Sequence, residues 1–283
     1  MGPDEWHLTD DIDELLRHAG DFLRSRPALH TIPLTVMETL RTRGAAAFGG
    51  EAPAFGWLER AGEGRAVFHL LRRLNLTPLT PEQADALAAH LAGTGRVLTG
   101  VSADHDTATA FTEAWRRHTG ATPTPLSRLL LYRLASLTPP HPLPAGRARE
   151  AGDQDHEHIV RWCGEFVDAV GEATTVDAAG WAATRFAGKR YTFWETPDGA
   201  PVAMAGRTPL VAGQIRVDPV YTPLRLRGHG YAAAVTVAVS RAALSAGATD
   251  VVLFADAANP TSNRLYRRIG FRPLADFTTY DFA

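Results

Sequence analysis

Two arginines, a histidine and two glycines fall within six residues, Arg225-Leu226-Arg227-Gly228-His229-Gly230, and the chain then runs straight into YAAAVTVAVSRAALSAG. Glycines at this spacing let a backbone turn sharply and approach a ligand closely. A helix that starts there aims its free N–H groups, and the positive end of its dipole, at the same spot. The chemistry is anion binding, phosphate foremost, with Arg225 and Arg227 adding charge at the rim. A second group follows in TDVVLFAD and ANPTSNRLYRRIGFRP, which carry Asp256, Asn259 and the phenol of Tyr266. A phenol of pKa about 10 can act as a general acid.

Three phosphate-binding arrangements compete for the glycine turn. Gly228, Gly230 and Ala233 satisfy a dinucleotide fingerprint, and Asp256 ends the following strand as that fold requires. Too little chain follows, however, to build the nucleotide half. A nucleoside-triphosphatase loop fails because no lysine followed by serine or threonine closes the turn.

The third arrangement is a family resemblance. Arg225-x-x-Gly228-x-Gly230-Tyr231-Ala232 resembles the coenzyme A pyrophosphate signature of the GCN5-related N-acetyltransferases, and ANPTSNRLYRRIGFRP is similar to that family's asparagine, tyrosine and GF segment. The resemblance runs from about Gly146 to the C-terminus and is strongest from Val217 to Pro273. It implies acetyl-CoA as cofactor, with its pyrophosphate on the backbone of Arg225, Leu226, Arg227, Gly228, His229, Gly230 and Tyr231. It also implies that the strand Ile215–Val217 splays from the one starting at Val251, leaving a wedge for the pantetheine arm. Asn259 matches the asparagine that hydrogen-bonds this arm, and Tyr266 matches the tyrosine near the thioester sulfur. Acyl transfer to an amine develops negative charge on the acyl oxygen, which a backbone amide near Val217 can stabilise. Asp256 and Asp276 are both candidates to take the amine's proton.

Each residue also has a plainer reading. The glycines can simply make a tight strand-to-helix turn, Tyr266 can pack, and Asn259-Pro260 or Thr261 and Ser262 can cap a helix without a ligand. His156 and His158 lie two apart and point in different directions on a helix, and no HExxH or paired-cysteine spacing accompanies them. Asp104, His105 and Asp106 read as a polar loop capping a helix, and no GxSxG elbow is present.

The elements that must position these groups divide at a proline-rich seam, Ser136 to Glu150, with prolines at 139, 140, 142 and 144. We place an N-terminal domain at 1–137, a linker at 138–146 and an acetyl-CoA-binding domain at 147–283. In the second half, DQDHEHIVRWCGEFVDAV is an amphipathic helix burying Ile159, Val160, Cys163, Phe166, Val167 and Val170, and VDAAGWAATRFA a shorter one. A hairpin around PDG, the strand GQIRVDPVY, the helix after the glycine turn and a further strand follow. The first half repeats this order crudely: helices in IDELLRHAGDFLRSR, PLTVMETLRTRG and TPEQADALAAHLAG, a hairpin in PAFGWLERAGEGRAVFHLL, a strand and helix from Arg96, and a closing strand in SRLLLYRLASL. No glycine turn falls at its matching junction. The expected fold is α/β (α+β), a GNAT-like mixed central sheet flanked by helices, in two tandem domains of which the first is degenerate.

Length and composition agree with two soluble domains. The chain has 283 residues, 45% hydrophobic residues and a formal net charge of −2, which argues against wrapping nucleic acid. The single cysteine, Cys163, excludes an internal disulfide framework and reads as core. No basic region precedes an apolar run at the N-terminus and no segment suits a membrane span, so the expected location is the cytoplasm. Lys189 is the sole lysine. The expected activity is an acetyl-CoA-dependent N-acyltransferase acting on a small-molecule or peptide amine. The rival reading is a non-catalytic sensor of coenzyme A or acyl-CoA. Trp162, Trp181 and Trp194 are candidates for either an acceptor site or core.

Overall fold

A computed structural model describes residues 4–49, 52–171 and 176–283. The chain divides into two compact units: Met1–Leu131 with Asp256–Ala258 and Leu274–Ala283, and Tyr132–Ala255 with Asn259–Pro273. Both contain strands of mixed direction flanked by helices. Among the described residues no helix is long and apolar enough to cross a membrane.

The first unit runs β1 (Glu5–Thr9), α1 (Ile12–Ser25), α2 (Thr31–Arg43), β2 (Ala54–Arg60), β3 (Glu63–Leu70), β4 (Leu74–Leu76), α3 (Pro81–Gly93), β5 (Gly100–Asp104), α4 (His105–Thr119) and β6 (Pro123–Leu134), whose last three residues fall in the second unit. Local chemistry explains the helix starts. The Asp11 side chain accepts the N–H groups of Asp13 and Glu14 (2.8 and 3.3 Å), and Leu15, Ala19 and Leu23, four residues apart, form the buried stripe of α1. The β2–β3 hairpin turns on Ala61 and Gly62, both at positive φ (53° and 78°), the backbone that a two-residue hairpin demands. Leu58, Phe68, Leu87, Val101, Phe111 and Trp115 make the core. The strands follow the order β1-β2-β3-β4-β5, antiparallel except for the parallel pair β4–β5. The last strand of the chain, β12 (Phe271–Phe282), then pairs antiparallel with β5, from Phe277 opposite Asp104 to Asp281 opposite Gly100. Asp104 to Asp106 are thus not a loop: Asp104 ends β5 and caps α4, its carboxylate accepting from the Thr107 N–H (3.2 Å).

The second unit repeats the order with β7 (Arg147–Glu150), α5 (His156–Ala169), β8 (Arg190–Glu195), β9 (Pro201–Arg207), β10 (Gln214–Tyr221), α6 (Tyr231–Ser245), β11 (Asp250–Asp256) and α7 (Pro260–Arg268). Its strands lie in the order β11-β10-β9-β8-β7, again with one parallel pair, β10–β11. Ile159, Cys163 and Val167 of α5 pack on Tyr191, Phe193, Met204 and Tyr221. Val170 is not buried but 49% exposed, because α5 has ended and it serves as the C-cap. Where VDAAGWAATRFA promises a second α-helix, the described residues show turns around a short 3-10 segment, Trp181–Ala183. The Asp177 carboxylate takes the Gly180 N–H and Thr184 bonds back to the Trp181 carbonyl, local bonds that compete with an α-helix.

Candidate functional site

The segment before α6 is a 3-10 turn, Leu224–Leu226, followed by two left-handed glycines. Gly228 and Gly230 have φ of 84° and 82°, where a side chain is strained. A Cβ on Gly228 meets nothing within 4 Å, and one on Gly230 meets only Pro144 at 3.9 Å. The backbone here faces open space. Within the turn the N–H groups of Leu226 and Arg227 already bond the carbonyls of Pro223 and Leu224 (2.8 and 3.3 Å), and His229 Nδ1 donates to the Arg227 carbonyl (2.9 Å). The donors left for an anion therefore begin after Arg227. Gly230 is the N-cap and has no side chain to offer, and the first bond closing α6 runs from Ala234 N–H to the Gly230 carbonyl (3.1 Å). The N–H groups of Tyr231, Ala232 and Ala233 lie ahead of that first closing bond and so have no intrahelical acceptor. Arg225 is exposed, and Arg227 spends its Nε on the Thr222 carbonyl (3.1 Å). His229 stacks on Tyr231, ring centroids 5.6 Å apart.

Beside this turn the two parallel strands part early. β10 and β11 pair at Gln214↔Asp250, Ile215↔Val251 and Arg216↔Val252 and no further, although both strands continue. β10 then slips register against β9 between Val217 and Val220, a bulge holding Asp218 and Pro219 that bends the strand away. Ile215 and Val217 are 0% and 2% exposed, so what they can offer a ligand is backbone. Gly206 on β9 makes the bend possible: a Cβ there would stand 2.6 Å from the Asp218 carbonyl and 3.0 Å from the Tyr191 ring.

The bulge brings together a pair the sequence reading did not single out as a site. Asp218 bonds the ammonium of Lys189, whose side chain is 6% exposed while that of Asp218 is 25% exposed. Burial alone would raise the Asp218 pKa, but Lys189, Arg185 and Arg216 hold its carboxyl well below the usual range. Burial brings Lys189 down to about 8 despite its partner. The Cys163 thiol donates to the Tyr191 hydroxyl at 3.7 Å and is pushed up to about 12 by burial, which makes it inert core. On the same strand the Tyr221 hydroxyl donates to Glu165 of α5 (2.7 Å). The dipeptide Asp218-Pro219 in mid-strand was the available signal for the bulge, though not for the pair it forms, since proline interrupts a ladder.

Tyr266 lies on α7, 8% exposed, its ring 6.2 Å from those of Tyr132 and Phe271. Burial raises its pKa, and the charge of Asp218 adds to the rise. Asn259 caps α7, its side chain accepting the Ser262 N–H (3.1 Å), with Pro260 in the first turn. Of the two candidate bases, Asp276 is committed to Arg128, whose Nε reaches both its oxygens (2.9 and 3.1 Å). Asp256 is exposed and accepts the Ala258 N–H (2.9 Å). Trp162 and Trp194 are buried at 4% and 5%, Trp162 packing on Phe193 and Tyr221.

Comparison with known proteins agrees with this geometry at the level of fold. Residues 208–280, which span the bulge, the turn, α6 and α7, match the family model described as FR47-like protein. No curated protein matches the sequence. Among solved structures, a GCN5-related N-acetyltransferase from Kribbella flavida is 22% identical and superposes with a TM-score of 0.53 over 76% of this chain and 86% of that one. An acetyltransferase of the GNAT family from Colwellia psychrerythraea is 12% identical, with a TM-score of 0.58 over 99% of this chain and 100% of that one. A tandem GNAT protein from the clavulanic acid biosynthesis pathway is 14% identical, with a TM-score of 0.57 over 99% and 98%. The chain thus shares the fold of these GCN5-related N-acetyltransferases, and the family match is confined to residues 208–280 in its C-terminal region.

Proposed function

We propose that the second unit is an acetyl-CoA-dependent N-acyltransferase domain acting on an amine. The observation that carries this reading is the start of α6: a glycine-capped, positively flanked helix N-terminus whose leading N–H groups have no intrahelical acceptor, next to strands that separate after three residue pairs. The residues suit a pyrophosphate because a Cβ on Gly228 would meet nothing within 4 Å and the leading N–H groups of a helix follow directly. When bound, acetyl-CoA supplies the acyl thioester.

The chain does the rest. Backbone amides from Gly228 to Tyr231 hold the pyrophosphate, Arg225 and Arg227 add charge at the rim, and the Asn259 side chain steadies the pantetheine arm. The Val217 amide at the bulge favours negative charge on the acyl oxygen. Tyr266, kept protonated by burial, donates its proton to the departing thiolate. Low water access around Tyr266 and Val217 strengthens the interactions made at the thioester end.

The test is calorimetric titration of the full chain with acetyl-CoA, beside Gly228→Glu checked for folding by circular dichroism. Wild-type binding weakened at least about 100-fold in the variant, roughly 2.7 kcal/mol, supports the reading. A folded wild-type protein that ignores acetyl-CoA defeats it.

A further inference from the structure

On a different part of the second unit, two arginines face each other, and the one carboxylate near them among the described residues, Glu150, pairs with only one of the two. Arg190 at the start of β8 and Arg207 at the end of β9 are direct cross-strand partners. Like charges so placed destabilise a sheet pair. Arg190 reaches Glu150 at 3.4 Å, on the exposed side. Arg207 is half-buried and forms neither a salt bridge nor a hydrogen bond within the described residues, and its pKa is lowered, first by burial and then by the charge of Arg190, with Glu150 opposing both only in part. A guanidinium carries five donors, and those of Arg207 have no protein acceptor among the described residues.

The α6 C-terminus is nearby but does not satisfy it. The carbonyls of Ala242, Ala243 and Leu244 accept instead from Ala246, Gly247 and Ala248. Both arginines line one surface recess of about 340 Å³, with Thr208, Pro209, Leu210 and Ala246 among its walls and no carboxylate. The recess is roomier than a bare oxyanion needs, and Leu210 is 44% exposed within it.

We propose that this recess is a binding site for a small phosphate monoester, its phosphate clamped between Arg190 and Arg207 and its organic body lying on Pro209 and Leu210. A phosphate there offsets the repulsion of the opposed pair and satisfies Arg207 bidentately. The site does not depend on the cofactor reading, because it uses β8, β9 and the end of α6 rather than the glycine turn.

The experiment is titration of the full chain with glycerol 3-phosphate and, separately, with inorganic phosphate, on wild type, Arg207→Gln, Arg207→Lys and Gly228→Glu. The proposal expects glycerol 3-phosphate to bind more tightly than inorganic phosphate, Gly228→Glu to leave that affinity within about twofold, and Arg207→Gln to weaken it at least about tenfold. Arg207→Lys, which keeps the charge and loses the fork, falls between. In the absence of ligand Arg207→Gln melts no lower than wild type, since it removes a repulsion. No binding by wild type, binding indifferent to Arg207→Gln in a folded protein, or binding that disappears only in Gly228→Glu overturns it.

Discussion

The two units begin the same helix in opposite ways. In the first, α3 starts on a closed cap: the Thr80 hydroxyl accepts the Gln83 N–H (3.3 Å), Gln83 Oε1 accepts the Thr80 N–H (3.0 Å), and Pro81 has no N–H to satisfy. The Leu79 N–H is taken by the Thr107 hydroxyl (2.9 Å). In the second, α6 starts on Gly230, which caps nothing. The order of elements around the two helices is the same, and each connects the two strands of its unit's parallel pair. A few residues thus separate an open helix start from a closed one. A further contrast lies one helix on. Seven residues past the N-cap Asn259 stands Tyr266, and seven past the N-cap Asp104 stands Phe111, fully buried and stacked on Trp115. The first unit has the same order of elements, with a closed cap and a phenylalanine at these two positions.

Making the second unit resemble the first is therefore the sharpest trial. Tyr266→Phe should cut acetyl transfer about 10²- to 10⁴-fold while leaving acetyl-CoA affinity within about twofold, read by steady-state thiol release and by calorimetry. An unchanged rate with intact binding would favour a sensor over a catalyst.

A pH titration separates the units next. Burial brings His69 of β3 down to about 4 from its ordinary 6.5, and the residue is 2% exposed. The folded state then binds fewer protons than the unfolded one between those values, so stability is lost as pH falls from about 6.5 to about 4, by up to about 3 kcal/mol. Denaturant unfolding of wild type against His69→Leu should show the variant's slope flattened across that window; parallel curves would refute it.

Lys189→Met strands the Asp218 carboxylate in the bulge and should cost about 2 kcal/mol, less than a fully buried pair because Asp218 is a quarter exposed. Double replacement with Asp218→Asn should recover part of the loss. The smallest effect is expected at the closed cap, where Thr80→Ala should cost about 1 kcal/mol and lower the melting midpoint by a few degrees without creating any affinity for acetyl-CoA.

The glycine turn was legible because positive φ asks for Gly228 and Gly230, and the proposed anion asks for arginines beside them. The Lys189–Asp218 pair was not, because nothing local to either residue announces it; the bulge between Val217 and Val220 brings them together. The helix expected over Val176–Ala187 failed for a nearer reason, the side chain of Asp177 turning the chain at Gly180. The pairing of β12 with β5 left no trace in periodicity, since an alternating strand does not declare its neighbour.

That pairing bears on how the protein is made. As β5 leaves the ribosome, β4 can already lie along one of its edges, but the other edge waits for Leu274–Ala283, which is synthesised more than a hundred residues later. Domains ordinarily complete themselves from the N-terminal end as translation proceeds. Here the earlier unit is finished last, and for most of translation it presents an open strand edge of the kind that recruits other chains. A nascent chain stalled anywhere between the two should depend on chaperones to a degree that the finished protein does not.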